Sequence, residues 1–207
     1  MEAFHATLLA VAAFWLGACP FSVWVGRWLL DKDIREYGDG NPGAVNVFRA
    51  GSPKAGFLAV ILDIGKGIPF VFLAHSFFRL SDMLVMAVGL SAILGHAFSP
   101  LLRLRGGKAL AVTGGVMLAL PQHEIVIAFI GFMFLGFLIL KNDAWIAMLG
   151  ATGTLAYLAA SRASPAELLF MLCVLVILGV KHFAELRVVP RLEVRLIKWL
   201  QSRKRET

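Results

Sequence analysis

Seven apolar runs, at about 4–30, 56–78, 83–102, 109–121, 124–140, 144–160 and 165–181, leave little polar sequence between them. A helix that crosses a bilayer needs roughly 17–25 predominantly apolar residues. In lipid its backbone groups must be paired internally. The runs therefore restrict the chain to an all-α, polytopic integral membrane fold with seven transmembrane helices. It forms a single domain over residues 1–207, with no room for a separate soluble one. Charged residues make up only 16% of the chain, where soluble proteins carry roughly 25%. The fourth run, "ALAVTGGVMLALP" (109–121), has a length that suits either a crossing or a re-entrant half-helix. No internal repeat, low-complexity segment or long linker interrupts the pattern.

Charge settles the orientation expected for these helices. If the fourth run crosses, the loops at 31–54 and 103–108, Lys141 and the tail after residue 180 share one side, with 16 basic residues against 2 on the other. Basic residues favour the cytoplasmic side, so the N-terminus is expected outside and the C-terminus in the cytoplasm. The tail at about 183–207 is basic and amphipathic, as suits an interfacial helix against anionic headgroups. A net charge of +7 is thus accounted for by membrane flanks, and nucleic acid is not an expected partner. The N-terminal segment lacks the positive region of a cleavable signal and is expected to remain as the first helix. Cys19 and Cys173 lie far apart inside apolar runs and are expected to be small buried hydrophobes.

Two cytoplasmic loops carry a chemistry unlike the rest. "REYGDGNPGAVNVFRAG" (35–51) combines Gly38, Gly40 and Gly43 with Asn41, Asn46 and Arg49. Glycines let backbone N–H groups approach an anion closely, asparagines add amide donors, and arginine offers a planar fork suited to phosphate. "RLRGGKALAVTGG" (103–115) places Gly106, Gly107 and Lys108 at the start of a helix, an end that favours anions. Neither loop follows a strand, which excludes a Walker loop and a dinucleotide fingerprint. Each alone is also compatible with helix-end glycines acting as caps and breakers. Two such loops on one face imply two phosphates or one large polyanion.

Asp63 and Lys66, three residues apart within the second run, read as an intramembrane ion pair near the site or as direct ligands. His96 is either a core histidine or a group reaching the cytoplasmic site, and His182 closes the seventh run beside Lys181. His5, His75 and His123 fall on or near the outer side. Metal-ligand spacings, nucleophile elbows and reactive cysteines near the basic loops are all lacking in the sequence, so no metal is expected.

The pattern Asp33-Ile34-Arg35-Glu36, then Gly38, Gly40-Asn41, Gly43-Ala44, Asn46-Val47 and Arg49, resembles the first signature of the bacterial acyl-phosphate:glycerol-3-phosphate acyltransferases. "LDIGKG" (62–67), "GHAFSP" (95–100) and "RGGKALAV" (105–112) follow in that family's order, so the resemblance covers nearly the whole chain. It implies transfer of a fatty acyl group from acyl phosphate to the 1-hydroxyl of glycerol 3-phosphate, giving lysophosphatidic acid for phospholipid synthesis. It also implies a multi-pass protein of the bacterial inner membrane with its site facing the cytoplasm, no cofactor, and no obligate protein partner. By resemblance Arg49 and Lys108 hold phosphate and Asn41, Asn46 and the loop glycines complete the cradle. His96 and His182 then match histidines of later motifs, and a substrate phosphate takes the hydroxyl proton.

Five positions depart from the family pattern, among them Val112 in place of a threonine, with Thr113 beside it. Asp39 stands where the family has serine, Val45 where it has threonine, Ala109 where it has glycine, and Glu185 where asparagine is usual. A carboxylate beside two phosphates repels them unless it is turned away or protonated. Asp39 has three readings: an Asx turn in "GDGNPG", a general base for the glycerol hydroxyl, or the mark of a diverged member with another acceptor or little activity. Two further functions compete with acyl transfer. One is a non-catalytic lipid- or phosphate-binding membrane protein; the other is an anion transporter, which would call for a polar path and a repeat.

Overall fold

The computed structural model describes residues 1–190, and every regular element in them is helical. The part of the basic tail at 191–207 lies outside the described residues. Among the described residues three segments, Glu2–Leu30, Pro53–Phe77 and Asp82–Leu102, are long and apolar enough to cross a membrane, and Leu110–Ala119 and His123–Ile139 are shorter apolar helices. Large apolar side chains lie open on their outer faces, among them Phe4, Trp15, Phe57, Ile61, Ile130 and Phe134. Contiguous exposed apolar surface on this scale suits contact with lipid.

The first run is not one helix. It divides into α1 (Glu2–Ala18) and α2 (Phe21–Leu30) at Cys19-Pro20. Proline has no N–H to donate into a continuing helix, so the last carbonyls of α1 need other partners. Ser99 Oγ donates to the Ala18 carbonyl at 2.6 Å, and Lys66 Nζ donates to that of Cys19 at 3.0 Å. The second run divides as well. After α3 (Ala44–Arg49), α4 (Pro53–Gly65) begins behind the cap of Ser52, whose side chain accepts from Ala55 N–H. It ends before Lys66-Gly67-Ile68, and α5 (Pro69–Phe72) with a π-helical turn at Leu73–Phe77 completes the run. The expected continuous helices at 4–30 and 56–78 are thus each a broken pair, and the two breaks meet through Lys66.

The remaining runs keep their expected places as α6 (Asp82–Ala97), α7 (Leu110–Ala119), α8 (His123–Ile139), α9 (Asp143–Ala160) and α10 (Pro165–Lys181), followed by the short α11 (Phe183–Leu186). α10 opens with a capping box between Ser164 and Glu167. At 1.5 Å per residue α7 is only about 15 Å long, which matches its short apolar run. Cys19 and Cys173, expected to be buried, are unpaired and partly exposed.

Two apolar clusters organise the interior. The larger joins α1, α5, α6, α7, α8, α9 and α10 through residues such as Val88, Ile93, Val116, Phe170 and Leu178. α1 and α6 approach so closely that a Cβ at Gly17 or Gly95 would strike the backbone of Ala92 or Phe14, the small-residue packing common between membrane helices. The smaller cluster joins Val23 and Val25 of α2, Ile34, Val47 of α3, and Ala55 and Ala59 of α4. Ile34 and Val47 are fully buried there. At roughly 1.5–3 kcal/mol for each buried aliphatic side chain, these two anchors fix both ends of the glycine-rich segment to the helices.

Candidate active site

Between those anchors the segment 37–43 folds on its own polar groups. Gly38 and Gly40 hold left-handed backbone at φ 60° and 72°. A side chain at Gly38 would also collide with Arg49 and Asn46. Asp39 Oδ1 accepts from Asn41 N–H at 3.2 Å, the two-residue bond of an Asx turn. The same oxygen accepts from Asn46 Nδ2 at 2.9 Å, and that amide also donates to the Asn41 carbonyl at 2.9 Å. Asn46 in turn accepts from Arg49 Nη1 at 3.1 Å through Oδ1. Gly43 precedes α3 as its N-cap and leaves space for the Asn41 side chain.

The lysine-bearing turn meets this loop directly. Lys108 Nζ donates to Asp39 Oδ2 at 2.5 Å, while Arg49 Nη1 lies 3.8 Å from Asp39 Oδ1. The two cations named from the sequence therefore flank a single carboxylate. Lys108 also donates to Glu185 Oε1 on α11. Partial burial opposes ionisation of Asp39, but hydrogen bonds from Lys108, Asn46 and the Asn41 N–H outweigh it and hold its pKa at about 2. Burial likewise works against the Lys108 ammonium, and its bonds to Asp39 and Glu185 more than reverse this, so its pKa is raised. Both groups stay charged at neutral pH.

The turn itself is shaped from below. Gly107 N–H donates to the His96 carbonyl at 3.1 Å, and the His96 ring sits where a Gly107 side chain would be. A side chain at Gly106 would strike the His96 carbonyl. Lys181 Nζ donates to the carbonyls of Ala97 at 2.8 Å and Gly106 at 2.9 Å, tying α10 to the turn. His96 is buried, with Nδ1 3.9 Å from Asp63 Oδ1. Asp63 also receives Ser22 Oγ at 2.6 Å and pairs with Lys66 at 2.8 Å. Ala109, the N-cap of α7, has φ 65°, a left-handed conformation unusual for alanine. Leu110 then begins the helix.

The structure thus joins Gly38, Asp39, Gly40, Asn41, Gly43, Asn46, Arg49, Gly106, Gly107 and Lys108 in one surface region, with His96 beneath it. His182 is buried beside it, with Nδ1 against the Leu178 carbonyl at 3.0 Å and within electrostatic reach of Lys108 and Glu185. Its neighbours Lys181 and Glu185 make hydrogen bonds to the lysine turn. Sequence spacing offers no signal for either contact beyond their nearness to His182. Beside the glycine-rich loop opens a cavity of about 770 Å³, walled in part by Arg35, Gly40, Pro42, Leu102, Arg103 and Arg105.

The glycerol-3-phosphate acyltransferase family model matches residues 7–189. The chain belongs to that family. Among its relatives, the glycerol-3-phosphate acyltransferase of Listeria welshimeri is 34% identical over 200 residues, covering 93% of this chain and 97% of that protein. The Staphylococcus haemolyticus enzyme of the same name is 32% identical over 202 residues, covering 93% and 98%. Among solved structures, the glycerol 3-phosphate form of PlsY, an integral membrane glycerol 3-phosphate acyltransferase, has a TM-score of 0.78 at 24% identity, covering 88% of this chain and 90% of that one. At that identity the likeness establishes a shared fold, and it fits the apolar helices and their exposed faces.

Proposed function

We propose that this chain transfers an acyl group from acyl phosphate to the 1-hydroxyl of glycerol 3-phosphate, giving lysophosphatidic acid and inorganic phosphate. The observation that carries this reading is the meeting of Arg49 and Lys108, from two glycine-rich segments, on either side of Asp39. Acyl phosphate is an activated anhydride, so orientation and charge stabilisation suffice without an acyl-enzyme. The hydroxyl oxygen attacks the acyl carbon, the carbon–oxygen bond to phosphate breaks, and the departing phosphate takes the hydroxyl proton. Arg49 and Lys108 hold phosphate oxygens; Asn41, Asn46 and the turns shaped by Gly38, Gly40, Gly43, Gly106 and Gly107 complete the cradle. His96 supports the lysine turn, and His182 anchors the segment that carries Glu185. Asp39, with its pKa near 2, is too weak a base to remove the hydroxyl proton and serves to shape the loop.

The same reading extends to topology. Seven spans, an external N-terminus and a site at the cytoplasmic face of the inner membrane agree with the distribution of basic residues along the sequence. No cofactor, nucleic acid or obligate protein partner is required.

Purified protein given acyl phosphate, with and without glycerol 3-phosphate, tests the proposal. Lysophosphatidic acid that forms only with both substrates is the expected result. Phosphate release that ignores glycerol 3-phosphate, or no release at all, overturns it. The second outcome would favour a non-catalytic phosphate-binding protein, a reading to which the two carboxylates on Lys108 lend weight.

A further inference from the structure

Lys108 is the lysine offered to phosphate, yet it is already occupied. Asp39 Oδ2 reaches its ammonium from the glycine-rich loop and Glu185 Oε1 reaches it from α11. These two segments and the lysine turn come from distant parts of the sequence, so only the folded chain brings the three groups together. Of the three ammonium protons, two point at carboxylates. Arg49 does not make up the deficit, because it too is shared with Asp39. At Lys108 and Arg49, two carboxylates thus face two cations. An incoming phosphate must separate Lys108 from at least one carboxylate and then sit close to both.

We propose that Asp39 and Glu185 act together as a built-in counter-anion that competes with substrate phosphate for Lys108 and sets how weakly this site holds it. They are specificity-determining residues of the acyl-transfer reaction, and the inference rests on that reading of the site. The competition is always present in neutral solution, since Asp39 keeps its charge down to about pH 2. Glu185 is the more readily displaced of the two, because it sits on the four-residue α11. Asp39 is bound into its loop by Asn41 and Asn46. Entry of phosphate therefore moves Glu185 away first, while Asp39 keeps the loop in shape.

The test uses full-length protein in lipid nanodiscs carrying Glu185→Gln, or Asp39→Asn with Glu185→Gln. Asparagine at 39 retains an oxygen for the Asn41 N–H. Inorganic phosphate binding, measured by calorimetry without turnover, is expected to tighten at least fivefold in the single variant and at least tenfold in the double. Loss of packing alone would weaken binding, so a gain separates the counter-anion from a structural role. KM is then measured for glycerol 3-phosphate at saturating acyl phosphate, and for acyl phosphate at saturating glycerol 3-phosphate. A fall in one of them supports the inference and identifies whose phosphate Lys108 meets. Phosphate binding that is unchanged or weaker in both variants overturns it. Tighter phosphate binding by variants of a protein that transfers no acyl group would uphold the counter-anion and refute the acyltransferase reading.

Discussion

Replacing Lys66 by methionine tests how the buried polar centre supports the fold. Lys66 and Asp63 are 1% and 3% exposed at their side chains, and their 2.8 Å contact is enclosed by helices. Methionine fills the volume but leaves the Asp63 carboxylate with Ser22 as its remaining hydrogen-bond donor, and strips the Cys19 carbonyl of the Lys66 ammonium. Breaking a buried ion pair by removing one partner costs about 3–5 kcal/mol. Against a total stability of roughly 5–15 kcal/mol, that is a large share. For a chain of this length each kcal/mol corresponds to about 2–4 °C in melting temperature, so a fall of at least 6 °C is expected in detergent. Removing both charges with Asp63→Leu and Lys66→Met leaves no stranded charge, and its loss is expected to be the smaller. Thermal unfolding followed by circular dichroism measures both. A single variant within 1 °C of wild type, or a double variant less stable than the single, would refute the assignment of Lys66 as counter-ion and helix cap.

Three further outcomes follow from the site. Ala109→Gly relieves a left-handed alanine at φ 65°, a conformation that disfavours L-residues by about 1–2 kcal/mol; after glycine's greater unfolded-state entropy, a rise of about 1–3 °C in melting temperature is expected, and a fall would contradict the strain. Lys181→Met removes the donor for the Ala97 and Gly106 carbonyls, and at least a tenfold loss of kcat/KM is expected from a looser lysine turn, with unchanged kinetics as the contrary result. Asp39 has a folded pKa of about 2, below an ordinary value of about 3.9. Its ionised form therefore stabilises the loop fully above about pH 4, and that contribution disappears as pH falls through 2. The stability difference between wild type and Asp39→Asn is expected to close in that acid window; a difference that closed between pH 6 and 8 would contradict the assignment.

The parts of this architecture that depend on local chemistry were legible in the sequence. The loop from Gly38 to Arg49 stands out because glycines at positive φ, an Asx turn and a short helix all operate within a few residues. The lysine turn was legible from its paired glycines, which here make room for His96, and most helices were legible because apolar length alone sets them. The breaks at Cys19-Pro20 and Lys66-Ile68 are hidden by apolar length, although Pro20 inside an unusually long first run and the glycines flanking Lys66 carry the signal. What no spacing could reveal was the identity of partners across the fold. Lys66 serves Cys19, Ser99 serves Ala18, Lys181 serves Gly106, and Glu185 shares Lys108 with Asp39. Each of these pairs depends on which helices become neighbours, and hydrophobic periodicity is silent on that.

The grip formed by the two glycine-rich turns is tested most directly by the rate of lysophosphatidic acid formation in Lys108→Met, measured over a range of glycerol 3-phosphate and acyl phosphate concentrations. Methionine removes the cation that ties the lysine turn to Asp39 and Glu185, and with it the charge-assisted contact to phosphate that we propose. A loss of at least 100-fold in kcat/KM, about 2.7 kcal/mol of transition-state stabilisation, is the predicted result. Turnover of both substrates at the wild-type rate would contradict it.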